Sequence, residues 1–173
     1  MRITKENIFN EIEKKNYLEV LKSDLVDKVK DHYGWTPLHY LADKKVKKVL
    51  KHPSVDKVKD NDGWTPLHIL ANREVKDVLQ HPSVDKVKER DGDTPLHFLA
   101  FKGVKAALQH SSIDKVKNRY GWTPLYYLAQ NGHLTKEDLR KKYPWYKKEI
   151  KNIYKAVNEI VNTPKSIQFI LED

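Results

Sequence analysis

The sequence predicts an all-α repeat protein: a solenoid of helical hairpins joined by hairpin-like loops and closed by helical terminal caps. Three observations carry this. The tetrapeptide Thr36-Pro37-Leu38-His39 returns as Thr65-Pro66-Leu67-His68, Thr94-Pro95-Leu96-His97 and Thr123-Pro124-Leu125-Tyr126, each 29 residues after the last. A fixed period of that length is one supersecondary unit repeated. Each unit is too short to bury a core alone, so the units must stack, and the apolar residues inside each unit follow helical spacing.

Residues 1–30 read as an N-terminal capping half-unit. Thr4-Lys5-Glu6-Asn7 starts a helix whose Ile8, Ile12, Leu18 and Leu21 form an apolar stripe, weakened in the middle by Lys15 and Asn16. Val20, Leu21, Val26, Asp27, Lys28 and Val29 repeat as Val49, Leu50, Val55, Asp56, Lys57 and Val58, so the register extends backward without the glycine turn. Complete units span 31–59, 60–88 and 89–117, residues 118–134 open a last one, and 135–173 form a C-terminal cap; together they make one domain, 1–173.

Within a unit Thr36 is the N-cap and Pro37 the first helical residue, where its missing N–H costs nothing. Leu38, Leu41 and Ala42 form the apolar face. A second short helix is expected from about residues 43–45, with Val46, Val49 and Leu50 inward, and it ends before Pro53. The link from Val55 to Val58 reads as extended backbone, followed by an Asp62-Gly63 turn that uses positive φ. Toward the C-terminus, Thr135 and Asp138 resemble a capping box. Pro144-Trp145 marks a break, and Tyr146, Ile150, Ile153, Tyr154, Val157, Ile160 and Val161 keep a helical period that suits a capping helix.

Composition narrows the chemistry. Cysteine is absent, which excludes disulfides, a thiolate nucleophile and a Cys-built zinc site, and suits a reducing compartment. There is no apolar leader and no apolar run of about 20 residues, so no membrane span is expected; a cytoplasmic protein, or one delivered into a host cell, is the expectation. There is no G-x-S-x-G elbow, P-loop or H-E-x-x-H site, and the aspartates recur as repeat elements, so no enzyme and no cofactor are expected. His39, His68 and His97 occupy one position in successive units, too far apart for a single metal ion, and Tyr126 completes the column; packing and local hydrogen bonding explain it. His52, His81 and His110 form a second column that finishes the second helix.

The formal charge of +9 is unevenly spread. Lys44–Lys51 holds five lysines and no acid, and Lys136–Lys155 holds eight basic residues against Glu137, Asp138 and Glu149. Such patches attract an acidic partner. The lysine columns 28, 57, 86, 115 and 30, 59, 88, 117 run beside Asp27, Asp56, Asp85 and Asp114, so much of their field cancels locally.

Residues 31–132 resemble the ankyrin repeat: TPLH opens the first helix after a D-x-x-G-x turn, and two antiparallel helices precede a hairpin-like loop. Two departures stand out. Leucine precedes the usual alanine at Leu41, Leu70, Leu99 and Leu128, and each complete unit is four residues short of the family's 33. The family's N-G-H-L turn reads as missing from the units with Lys44-Lys45 and Arg73-Glu74, hinted at by Gly103, and present at Asn131-Gly132-His133-Leu134.

The resemblance implies a non-catalytic, monomeric interaction module that holds a protein on the concave surface of hairpin tips and first helices. On matching positions that surface comprises His32, Tyr33, Trp35 and Lys44 from the first complete unit and Asp62, Trp64 and Arg73 from the second. The third contributes Arg90, Asp91, Asp93, Phe101 and Lys102, and the fourth Arg119, Tyr120 and Trp122. Trp35, Trp64 and Trp122 follow the turn glycine, where they serve either as packing or as partner anchors; Asp93 in their column argues for a surface role. Two other readings stand beside this one, a nucleic-acid or anionic-surface binder working through the basic patches, and a structural component of a larger assembly.

Overall fold

The computed structural model describes residues 2–142. Its helices are α1 (Ile8–Glu13), α2 (Tyr17–Lys22), α3 (Pro37–Asp43), α4 (Pro66–Asn72), α5 (Pro95–Phe101), α6 (Pro124–Gln130) and α7 (Lys136–Lys142), with single 3₁₀ turns at Lys47–Lys51, Lys76–Gln80 and Lys105–Gln109. No strand occurs among the described residues. α3 packs on α4, α4 on α5 and α5 on α6, while α1 and α2 close the start of the row against α3. One apolar core runs through the stack, from Ile8 and Ile12 through Leu38, Leu67 and Leu96 to Leu128.

The first helix of each unit forms as the sequence dictates. Thr36 is extended (φ −92°, ψ 163°) at the N-cap, Pro37 follows at the first helical position, and His39 takes the third. The Thr36 N–H donates to His39 Nδ1 at 3.1 Å, so histidine does the reaching back that Glu or Gln performs in a capping box. The preceding unit satisfies the next orphan donor. The N–H groups of Leu38, Leu67, Leu96 and Leu125 donate to the carbonyls of Val26, Val55, Val84 and Ile113 at 2.8–3.0 Å. Stacking and helix capping are therefore the same interaction.

The second element corrects the expectation of a helix from residues 43–45. α3 ends in a Schellman-type turn: Lys45 is left-handed (φ 57°), its N–H donates to the Ala42 carbonyl, and the Val46 N–H donates to that of Leu41. Glu74 (φ 63°), Gly103 and Gly132 hold the equivalent position. The turn between the helices is thus present in every unit. What is shortened is the second helix, reduced to one 3₁₀ turn; only the fourth unit has an α-helix there, α7. The i→i+3 ladder puts Val46 and Val49 on one side, and further bonds from His52 and Val55 carry it straight into the loop. Residues 53–57 are accordingly turns, so the extended link expected from Val55 is not found over 55–57.

The N-terminal cap also differs from one continuous helix. Lys15 is left-handed (φ 63°), the chain breaks at Lys14-Lys15-Asn16, and α1 and α2 form a hairpin of the same kind as the repeats. Val20, fully buried, takes the inward place, and Leu18 is 47% exposed. At the other end, Thr135 Oγ1 accepts from the Asp138 N–H at 3.1 Å and Asp138 Oδ2 accepts from the Thr135 N–H at 2.9 Å, the expected capping box. The readings of Pro144-Trp145, the helical period from Tyr146 to Val161 and residues 166–171 lie outside the described residues.

Candidate interaction surface

Each hairpin tip is built on a side-chain-backed turn. Asp31 Oδ1 accepts from the N–H groups of Tyr33 and Trp35 at 2.9 and 2.8 Å, and Asp60, Glu89 and Asn118 repeat the arrangement. Neighbouring tips are joined by backbone: Asn61, Arg90 and Arg119 donate to the carbonyls of Tyr33, Asp62 and Asp91 at 2.9–3.1 Å. The tips therefore form one continuous row.

On that row His32, Tyr33, Asp62, Arg90, Arg119 and Tyr120 are exposed and Asp91 is half-buried. Their charges are already engaged with one another. Arg90 meets Asp62 at 3.0 Å and Arg119 meets Asp91 at 2.8 Å, each joining one tip to the next. His32 lies against Tyr33 with ring centroids 3.7 Å apart. Beside the tips runs a second row at the ends of the first helices. Lys44 reaches Glu13 at 3.7 Å, Arg73 pairs with Asp43, and Lys102 Nζ sits 5.6 Å over the ring of exposed Phe101.

The tryptophan column lies beneath the tips, half-buried. Trp35 packs edge-on to Tyr40 at 5.1 Å and its Nε1 donates to Asp60 Oδ2 at 3.0 Å. Trp64 lies 4.4 Å from Phe98 of the next unit, and Trp122 stacks on Tyr126 at 5.0 Å. Asp93 does not mark a free surface, contrary to the inference drawn from its place in the column. Its side chain is 14% exposed and accepts from Asn118 Nδ2 at 2.8 Å and the Tyr127 hydroxyl at 3.2 Å. Burial pushes the Asp93 carboxyl above its ordinary value, and burial together with the nearby Asp93 charge raises the Tyr127 phenol.

Three further columns act as staples between units, which sequence reading missed because their partners lie 25–29 residues away. Buried His39, His68 and His97 accept at Nδ1 from their own N-cap N–H. The proton is thereby placed on Nε2, which donates to the carbonyls of Trp64, Asp93 and Trp122 at 3.1–3.2 Å. Lys30, Lys59 and Lys88 donate to the carbonyls of Lys59, Lys88 and Lys117 at 2.8–2.9 Å. Ser54, Ser83 and Ser112 donate to Asp27, Asp56 and Asp85. His52, His81 and His110 accept from Ser54, Ser83 and Ser112 N–H groups just after the 3₁₀ turns, the local role expected of that column.

Comparison with known proteins agrees with the register. Residues 72–137 match the family model of ankyrin repeats, in three copies. Over residues 72–137 the chain carries ankyrin repeats. No curated protein matches the chain. Ankyrin repeats generally serve protein–protein interaction and are typically non-catalytic. No helix among the described residues is long and apolar enough to cross a membrane.

Proposed function

We propose that the chain is a monomeric, non-catalytic adaptor or inhibitor that holds a protein partner along its tip row and first-helix ends. The observation that carries this reading is the distribution of exposed aromatic surface. Among the described residues the exposed large hydrophobics are Leu18, Tyr33 (63%), Phe101 (46%) and Tyr120 (47%), and all but Leu18 stand on that one surface. A stack that buries its other aromatics at least in part has no folding reason to leave three out. Exposed aromatics beside arginines are the usual composition of a binding hot spot.

Lys30, Lys59 and Lys88 donate to backbone carbonyls of the following units and so tie the stack together while keeping their charge. The decisive variant is Tyr33→Ala/Phe101→Ala/Tyr120→Ala, made on exposed positions so that the fold is spared. Its affinity for the protein partner, identified by cross-linking in the source cell, should fall at least about tenfold, or roughly 1.4 kcal/mol, with an unchanged circular-dichroism spectrum. An unchanged dissociation constant would overturn the surface.

A further inference from the structure

The tip row has three junctions, and two of them are filled by an arginine from the following unit. Arg90 seats on Asp62 at the second. At the third, Arg119 seats on Asp91 at 2.8 Å with its guanidinium carbon 4.8 Å over the Tyr120 ring. At the first junction both partners are replaced: Asn61, short and neutral, stands where Arg90 and Arg119 stand and donates through Nδ2 to the His32 carbonyl at 3.1 Å, and Tyr33 stands where their acids Asp62 and Asp91 stand. There the structure has an open cleft of about 400 Å³, lined by Tyr33, Trp35, Tyr40, Asp60, Asn61 and Asp62. Its walls are three aromatic rings, and its lining holds two carboxylates and no base.

We infer that this cleft receives an arginine side chain of the protein partner, stacked on its aromatic walls and held by the carboxylates of Asp60 and Asp62. The inference rests on the proposed interaction surface and adds the chemistry of one contact to it. A guanidinium suits the cleft better than an ammonium for two reasons. Its plane stacks on an aromatic face, as Arg119 does on Tyr120, and its fork reaches carboxylates on either side. Asp60 and Asp62 retain acceptor capacity: Asp60 already takes the Trp35 indole and two backbone N–H groups, and Arg90 engages Oδ1 of Asp62, but a carboxylate offers about four acceptor sites. Tyr40 is held neutral as a wall, because its hydroxyl donates to Asp31 Oδ2 at 2.7 Å and that bond pushes the phenol up to about 12.

The Trp35 indole N–H, 3.0 Å from Asp60 Oδ2, is a built-in reporter. The full chain, labelled with ¹⁵N, is titrated with the peptides acetyl-Gly-Arg-Gly-amide, acetyl-Gly-Lys-Gly-amide and acetyl-Gly-citrulline-Gly-amide at millimolar concentration. The arginine peptide should shift the Trp35 indole resonance saturably and leave those of Trp64 and Trp122 in place. The citrulline peptide, neutral and of the same shape, should not shift it, and raising salt should weaken the arginine response. Tyr33→Ala should weaken binding about 2- to 5-fold, the size of an exposed cation–π contact, and Asp62→Asn should weaken it as well, each with the remaining spectrum unchanged. Equal response to citrulline, binding of the lysine peptide as tight as that of arginine, indifference to Tyr33→Ala, or no saturable shift would each overturn the arginine assignment. Those results leave the partner affinity of the triple variant untouched, so the two readings fail separately.

Discussion

Asp93 and Asn118 show how one column of the repeat rewrites itself without loss. At the first junction an indole donor faces a carboxylate acceptor, Trp35 on Asp60 at 3.0 Å. At the third the roles change sides: the carboxylate is on the earlier unit and the donor is the Asn118 amide, at 2.8 Å. Asn118 replaces the acids found at Asp31, Asp60 and Glu89, and it keeps their other duty by accepting from the Tyr120 and Trp122 N–H groups through Oδ1. The coupling is testable by a double-mutant cycle. Asn118→Asp alone brings two carboxylates together at a buried position and should cost about 1–3 kcal/mol in urea unfolding. Asp93→Trp together with Asn118→Asp restores the indole-to-carboxylate pairing of the first junction beside an aromatic neighbour, as Trp64 has in Phe98, and should recover most of that loss; a double variant no better than the single one would show that the two exchanges are unrelated.

At the scale of elements, the tip turn sets the spacing between units. Gly92 (φ 82°) lies against the next tip, where an added Cβ would come within 2.9 Å of the Arg119 backbone nitrogen. Gly121 has the same φ, with nothing within 4 Å. Gly121→Ala should therefore cost only the strain of a left-handed alanine, about 1 kcal/mol, and Gly92→Ala distinctly more, because backbone cannot step aside as a side chain can. Equal losses of thermal stability in the two variants would mean that the tips do not press on one another. The first helices were legible in the sequence, since Thr-Pro fixes their start and Leu38, Leu41 and Ala42 their face. The second elements were legible only as apolar positions. A spacing of three residues is shared by α and 3₁₀ geometry, so Val46 and Val49 could not reveal which formed. The left-handed turns at Lys15, Lys45 and Glu74 were hidden for a different reason: none is glycine, and tertiary packing overrides the local preference.

The whole molecule is held by terms that repeat at each interface, and this is also why part of the candidate surface could not be read in advance. Exposure of Tyr33 and Phe101 followed from the repeat pattern, but the pairing of Arg90 with Asp62 exists only once units are stacked in space. The same repetition makes the stack sensitive to acid. Burial holds His68 and His97 down to about 4, and it lowers His39 too, because their rings lie in the core with both nitrogens committed. In the unfolded chain each titrates near 6.5. Between those values the unfolded state binds more protons than the folded one, so stability is complete above about pH 6.5 and declines as pH falls toward 4. Each of His68 and His97 should remove roughly 2 kcal/mol by pH 5 relative to pH 8. The carboxyls held below their ordinary values, Glu6, Glu11, Asp31 and Asp138, release their stabilisation only at lower pH, and Asp93, held above its ordinary value, acts in the opposite sense, so the fall from 6.5 to 5 belongs to the histidines. Urea midpoints measured across it should fall steadily, and His68→Gln, which keeps an acceptor and a donor but no titrating nitrogen, should flatten the slope by the equivalent of about one proton. A profile flat from pH 8 to 5, or a slope unaltered by His68→Gln, would show that the imidazoles between the units do not carry the coupling ascribed to them.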